Sequence, residues 1–312
     1  MTSAARPNLL FAEFALLLMS IIWAVNYSVI KYGTSVVPPL AYNGIRIMIA
    51  ALALLAIALL WGGPAPARRD LLALLALGAL GNGVYQVFFV EGLARTRAGE
   101  AALVVGASPA LMALIGRLRG VERVDRRGGI GIALSMFGVA LIVLSRAAAG
   151  SPSANASGDT GGSGGGSLAG DLLVLCGGVC WAVYTILLIP YTKRLSGWWV
   201  AALTIVGGSL ILALVGGADI ISVNWFSLTK NAWAAILYSG LGALVIAYLL
   251  WYHGVRVVGP TRTALYGNLQ PLIALLVAWL TLGEVPTVWQ GLGAATIVSG
   301  VLLTRIPASE SS

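Results

Sequence analysis

The sequence predicts an all-α membrane protein of ten transmembrane helices, in two inverted five-helix repeats with both termini in the cytoplasm. Three observations predict it. The 312 residues are 59% hydrophobic and 10% charged, against roughly a quarter charged in a soluble domain, which leaves too little polar surface to coat a water-soluble particle. The apolar runs recur at about 20 residues, the length that crosses a bilayer as a helix. They are continuous, whereas a transmembrane barrel needs short alternating segments. Finally, the chain is written twice. Laid over itself without a gap at an offset of 162 residues, Ala102, Leu103, Pro109, Leu118, Glu122, Gly129, Gly131, Ala133, Gly138 and Val139 meet Ala264, Leu265, Pro271, Leu280, Glu284, Gly291, Gly293, Ala295, Gly300 and Val301. A mid-segment proline, a corner glutamate and three glycines in register mark an internal repeat.

The spans fall near 10–31, 39–61, 70–92, 98–117 and 128–146, then 169–190, 198–217, 231–254, 262–282 and 287–305. The run after MTSAARPNLL carries no small-residue cleavage site, so it is expected to be a spanning helix and not a removed signal. Pro38-Pro39 and Gly62-Gly63-Pro64 punctuate the first connections. Residues 1–146 form the first repeat and 169–305 the second. Between them 147–168, rich in Gly and Ser, reads as a solvated outer linker, and 306–312 as a cytoplasmic tail.

Basic residues orient the chain. With the N-terminus inside, inner segments hold thirteen (Arg6, Arg68, Arg69, Arg117, Arg119, Arg123, Arg126, Arg127, Lys193, Arg194, Arg256, Arg262 and Arg305) and outer ones five (Lys31, Arg95, Arg97, Arg146 and Lys230). Arg46 is left inside span two. The bias places both termini in the cytoplasm. An odd number of spans per half turns the second half over, and inverted halves are a signature of secondary transporters with a midplane site between them. The net charge of +8 thus reports membrane orientation, and no aromatic-interleaved basic patch points to nucleic acid.

Four spans carry polar or aromatic residues at x, x+3 and x+4, which share one helix face: Trp23/Asn26/Tyr27, Asn82/Tyr85/Gln86, Trp181/Tyr184/Thr185 and Tyr248/Trp251/Tyr252. Tyr266 and Gln270 add a fifth face. Lipid offers no hydrogen bonds, so these faces are expected to line one central cavity. Such a cavity suits a small substrate with an apolar body and polar ends. The other tryptophans, Trp61, Trp198, Trp199, Trp225, Trp233 and Trp289, read as interface belts. Arg46 is a functional candidate by its depth, with Glu91 or a substrate carboxylate as partner, against a structural arginine that snorkels or caps carbonyls. Pro109 and Pro271, expected in mid-helix, read as gating kinks.

Other ionisable residues read more plainly. Glu91 and Glu100 are expected at a solvated outer end beside Arg95 and Arg97, and Glu13 at an inner mouth. Glu122 and Glu284, repeated at both corners, read as acceptors for the N–H groups that start the next helix. His253, the single histidine, reads as interfacial, and Cys176 and Cys180 as small core residues. No metal site, nucleotide loop or cofactor is expected.

With those residues in view, the chain resembles the EamA branch of the drug/metabolite transporter superfamily. The resemblance rests on the paired corners, on Trp23-Ala24-Val25-Asn26-Tyr27 with Lys31, on Trp181-Ala182-Val183-Tyr184-Thr185, on Arg46 and on Gly92-Leu93. It departs where Gly120-Val121-Glu122 stands for Leu-Gly-Glu. It implies export of amino acids, other metabolites or drugs by alternating access in a bacterial cytoplasmic membrane. Aromatic or hydrophobic amino acids suit the expected cavity. The expected partners are the lipid bilayer and a small-molecule substrate, for a monomer or weak dimer. A pore or scramblase is the alternative from another class, and an intramembrane enzyme ranks below a carrier.

Overall fold

The computed structural model describes residues 9–120, 126–148, 167–258, 263, 266–267 and 269–305, without the side chains of 144–148, 252, 255, 256, 304 and 305. Glu122, Asn268, the linker stretch 149–166, the tail 306–312 and the side chain of Tyr252 therefore lie outside it.

Among the described residues the chain is helical, with eight helices long and apolar enough to cross a membrane and two shorter apolar ones. They are α1 (Leu9–Val36), α2 (Pro39–Trp61), α3 (Arg68–Arg95), α4 (Ala98–Leu118), α5 (Arg126–Ala148), α6 (Leu168–Thr192), α7 (Gly197–Ser222), α8 (Lys230–Leu237 continuing through Ala247–Val257), α9 (Gln270–Leu282) and α10 (Val288–Arg305). Local chemistry sets several of the ends. Pro39 occupies the first turn of α2, where its missing N–H costs nothing. Ser167 caps α6 by accepting from the Gly170 N–H at 3.1 Å, and Thr229 caps α8 by accepting from Ala232 at 3.3 Å. Gly283, at φ +68°, ends α9 in the left-handed conformation, with its N–H and that of Glu284 returning to the Trp279 and Ala278 carbonyls. At the other corner the left-handed residue is Gly120, also at φ +68°. The αL glycine has thus moved within the corner, which accounts for Gly120-Val121 standing where a Leu-Gly pair was expected.

The two halves interleave. α1 packs on α8, α3 on α6, α2 on α7, α4 on α9 and α5 on α10. This is the pattern of a two-fold exchange between halves, and single residues repeat it. A Cβ on Gly138 would overlap Ile297 and the Gly293 carbonyl, while one on Gly300 would overlap Ser135 and the Gly131 carbonyl. Gly138/Gly300 and Gly131/Gly293 are equivalent pairs in the repeat, so each contact is the image of the other. Ser135 Oγ donates to the Ile297 carbonyl at 3.3 Å, and these two positions are 162 apart. Only positions on a local two-fold axis meet their own equivalents. Without a Cβ, the α5 and α10 backbones approach closely enough for dispersion and short contacts to hold them.

α3 and α8 share an irregularity. α3 becomes π-helical over Ala79–Val84 and α8 over Tyr238–Ile246. The segments overlap when the repeat is superposed, as do Gly78 with Gly240 and Gly92 with Gly254. Such segments recur at functional sites.

Three expectations change. Pro109 and Pro271 do not kink continuous helices. α4 breaks at Ala107 and α9 begins at Gln270, so each proline sits in the first turn of a helical segment, where it removes no helix hydrogen bond. The α9 segment from Gln270 is about 20 Å long, and residues 263 and 266–267 ahead of it are also helical. Trp199 is buried, donating to the Gly63 carbonyl at 3.2 Å, and is no belt residue. Cys176 is exposed on α6 and so is not a core residue. His253 packs edge-on against Phe11, with centroids 5.6 Å apart.

The close α5–α10 crossing predicts that Gly300→Val lowers the melting temperature of the protein in detergent, at a cost of about 1–3 kcal/mol for overpacking. Gly291→Val, on the same helix with nothing within 4 Å of its Cβ position, should melt close to the parent. Equal melting of the two variants would contradict this account of the crossing.

Candidate functional site

Arg46 lies on α2 and is 1% exposed, the largest fully buried side chain among those described. Its own helix starts the arrangement: Asn43, three residues earlier on the same face, accepts from Nε at 2.8 Å. The other two nitrogens reach into the two helices that carry π-helical segments. Nη2 donates to Gln86 Oε1 of α3 at 2.8 Å, and Nη1 to Ser239 Oγ of α8 at 2.9 Å. Asn43 Nδ2 closes the ring on the Gln86 carbonyl at 3.0 Å. All three acceptors are neutral. The phenols of Tyr42, Tyr85 and Tyr248 lie close enough to interact electrostatically with the guanidinium.

The expected partnership with Glu91 is not made. Glu91 pairs with Arg95 one turn along α3, an i,i+4 geometry available without any tertiary contact. Among the described residues no carboxylate is paired with Arg46.

The aromatic rings form two clusters. In the first cluster Trp23 of α1 meets Tyr248 and Trp251 of α8 at 5.7 and 5.8 Å and donates from Nε1 to the Ala243 carbonyl at 2.8 Å. Tyr266, like Trp23 and Trp251, packs against the buried Leu16, Met19 and Ala247, and its carbonyl accepts from Ser20 Oγ at 2.8 Å. In the second cluster Tyr27, Phe89, Tyr85, Trp181 and Tyr184 follow one another with centroids 5.2–5.7 Å apart. Tyr85 and Tyr248, one from each cluster, interact electrostatically with Arg46.

The structure therefore gathers most of the expected residues, though not as the walls of one open cavity. The rings close on each other in two groups. A crevice lies elsewhere, beside the Pro271 break, and is lined by Leu103, Gly106, Pro271, Ala294, Ile297 and Val301, among others. Gly106 meets Pro271 there, so the breaks of α4 and α9 face one another. Asn26 and Asn82 each bury an amide oxygen with no hydrogen-bond partner, and the Asn82 backbone lies against Gly208 of α7. Thr185 turns back to the Trp181 carbonyl at 2.8 Å. Gln270 opens α9, half-buried.

The ends of the helices are tied by a different set of polar residues. Glu284 accepts from the Ala98 and Gly99 N–H groups at 3.0 and 3.2 Å. It thus caps α4 in the other half, and not α10, the next helix in sequence. α10 is started by Thr287 and Gln290, which cap one another at 2.9 and 3.2 Å. Gln290 also donates to Glu100 at 2.7 Å. Glu100 is 2% exposed, so it is no solvated end residue: α10 covers it. Thr96 sits between Glu100 and the buried Asp171 of α6. Lys31 Nζ donates to the Leu93, Ala94 and Thr96 carbonyls at 3.1, 2.9 and 2.6 Å, capping the end of α3. Where α3 begins, Asp70 holds Arg194 at 2.5 and 3.0 Å, joining it to the end of α6.

Asn43, Ser239, Phe89 and Asp171 were not among the expected site residues. Asn43 was legible, since it shares a face with Arg46. Ser239 lies in an apolar run and reaches the site only through α8's irregular turn.

Multiple apolar helices, intertwined halves and a buried cation flanked by aromatic rings define a multi-pass membrane transporter. The sequence profile of the EamA-like transporter family matches residues 10–144 and again 168–306, and the chain belongs to that family. It is a multi-pass protein of the bacterial inner membrane. Its relatives include the uncharacterized transporter YyaM of Bacillus subtilis, 26% identical over 94% of each chain. The uncharacterized inner membrane transporter YedA of Escherichia coli is also 26% identical, over 94% of this chain and 90% of its own. A probable terminal-alkyne amino-acid exporter of Streptantibioticus cattleyicolor is 28% identical over 94% of this chain and 92% of its own. A crystal structure with 20% sequence identity superposes with a TM-score of 0.57 over 94% of this chain and 96% of that one, a likeness of fold.

The Arg46 network predicts that Gln86→Leu lowers the melting temperature, since a hydrogen bond to a charged group contributes about 1.5–3 kcal/mol. Gln270→Leu, at the start of α9, should change it far less. Thermal unfolding in detergent checks both, and a Gln86→Leu protein as stable as the parent would contradict the network.

Proposed function

We propose that the chain is a carrier for small amphipathic metabolites, foremost amino acids with aromatic or hydrophobic side chains, exporting them by alternating access. The observation that carries this reading is a buried cation, Arg46, with which a tyrosine from each of two aromatic clusters interacts. Rings supply stacking and apolar surface to a substrate body while hydrogen-bonding side chains meet its polar ends. The name of the Streptantibioticus exporter supports an amino-acid substrate.

In this reading the chain crosses the membrane ten times, with α9 and α10 as the shorter crossings. Residues 1–146 and 169–305 are inverted halves joined by the 147–168 linker, both termini are cytoplasmic, and the protein works as a monomer or weak dimer. The doubled profile match and the reciprocal α5–α10 contacts support two equivalent halves. The basic-residue bias supports the orientation. Pro109 and Pro271 gate by letting the two halves of a broken helix swing at Ala107 and before Gln270. Glu284 with α4, and Asp70 with Arg194, are then the ties closing opposite ends.

Proteoliposomes loaded with unlabelled phenylalanine test the reading by counterflow. Labelled phenylalanine should accumulate transiently and saturably. Trp181→Ala and Tyr85→Ala should each weaken apparent affinity about tenfold, from the loss of ring contacts. No counterflow with any amino acid would sink the substrate assignment. Linear, unsaturable flux would identify a pore, and normal transport by both variants would remove the aromatic path.

A further inference from the structure

Arg46 holds more charge than its surroundings balance. Asn43 Oδ1, Gln86 Oε1 and Ser239 Oγ satisfy donors on all three of its nitrogens but carry no formal charge. Neutral acceptors do not offset the cost of removing a guanidinium from water, which is several kcal/mol for a buried ion. The described carboxylates are engaged elsewhere or lie near helix ends: Glu91 on Arg95, Asp70 on Arg194, Glu284 on α4, Glu100 on Gln290 and Asp171 on Thr96, with Glu13 near the start of α1 and Asp219 near the end of α7. The equivalent helix α7 carries no Lys or Arg between Gly197 and Ser222, so the fold itself does not require a cation at this depth.

The geometry points to a single carboxylate as the ligand of Arg46. This rests on the carrier reading above and names the substrate group that the site selects. Nε is held by Asn43 from one turn below on α2, which fixes the guanidinium plane. Nη1 and Nη2 form the free end of the fork, and each is occupied by one neutral oxygen from a different helix. A carboxylate presents two oxygens in the spacing that a planar fork accepts, bidentate and charge-assisted. One such ligand replaces both Gln86 and Ser239 and supplies the missing negative charge. Its apolar body then lies among the rings of Tyr85 and Tyr248, the two cluster members beside the cation.

The exchange has a structural consequence. Gln86 follows the π-helical segment of α3 at Val84, and Ser239 lies inside that of α8. Arg46 thus ties α3 just past its irregular segment and α8 within its own, through neutral bonds weaker than the ones a carboxylate makes. Binding frees both helices from α2 together. An amine or amide lacking the carboxylate leaves them tied.

Purified full-length protein in nanodiscs tests this with phenylalanine, phenylalaninamide and phenylacetate, read by thermal shift and by displacement of labelled phenylalanine. The parent should bind phenylalanine and phenylacetate, with phenylalaninamide at least tenfold weaker. Arg46→Gln should lose that preference. Since Arg46→Gln can fail to fold, the decisive variant is Gln86→Glu, which places a carboxylate on the fork permanently. It should melt above the parent and lose binding of both carboxylates. Equal binding of acid and amide by the parent, or parent-like carboxylate binding by Gln86→Glu, would overturn the inference. If phenylacetate binds and phenylalanine does not, the carboxylate site stands and the amino-acid reading falls. If no probe binds, both fall.

Discussion

A guanidinium buried in an apolar bundle without a carboxylate beside it is the constraint from which the centre of this structure follows. Lipid offers no hydrogen bonds, so donors at that depth are met by acceptors on the helices. Arg46 finds them on α2 itself, on α3 and on α8. That requirement brings the two π-bearing helices against one side chain. Gly240 permits the approach, since a Cβ there would meet the Arg46 carbonyl at 2.8 Å. The aromatic clusters draw on two of those helices, Tyr85 and Phe89 from α3 and Tyr248 and Trp251 from α8, with α1 and α6 supplying the rest. Neutral acceptors leave the charge solvated by dipoles but not cancelled, which is the ground for proposing it as the site of a substrate carboxylate.

Around that asymmetric centre the scaffold is close to symmetric. The α5–α10 crossing is built from equivalent glycines meeting each other's helices, and Ser135 meets its own equivalent, Ile297. The polar ties sit at the ends. Glu284 reaches across to α4, Lys31 caps the end of α3 and Arg194 clasps Asp70 where α3 starts. All are ionic or charge-assisted, and the Arg194–Asp70 pair is partly exposed, so they cost little to break and remake. Apolar close packing keeps α5 and α10 together while the ends are free to exchange partners.

Much of this was legible in sequence because bilayer physics writes it in coarse letters: apolar runs, turn residues and a doubled corner. The depth of Arg46 and the one-face placement of Trp23, Tyr85, Trp181 and Tyr248 followed from helical period. Partners did not. Glu91 was one of two candidate partners for Arg46 and was also expected beside Arg95, and the local pair one turn along is the one that forms. Glu284 was rightly read as a cap, yet for the wrong helix, because period says nothing about which N-terminus lies across the interface. Glu100 and Asp171 look like end residues until α10 and Thr96 cover them. The π-helical turns leave no periodic mark, and Ser239 is brought to Arg46 by one of them. Pro109 and Pro271 show the limit of a motif: the residue signals a break, and the structure decides whether a helix bends there or starts there.

The account stands on the two halves moving about the Arg46 centre, and the distance across the Glu284 tie measures that motion most directly. Spin labels at Tyr32 and Val285, both exposed, in a background with Cys176 and Cys180 replaced, report that distance by pulsed electron resonance in nanodiscs. The account predicts two populations, short with the tie made and long with it broken, whose ratio shifts on adding phenylalanine and moves toward the long state in Glu284→Gln. A single narrow distance, unchanged by substrate and by the substitution, would contradict it.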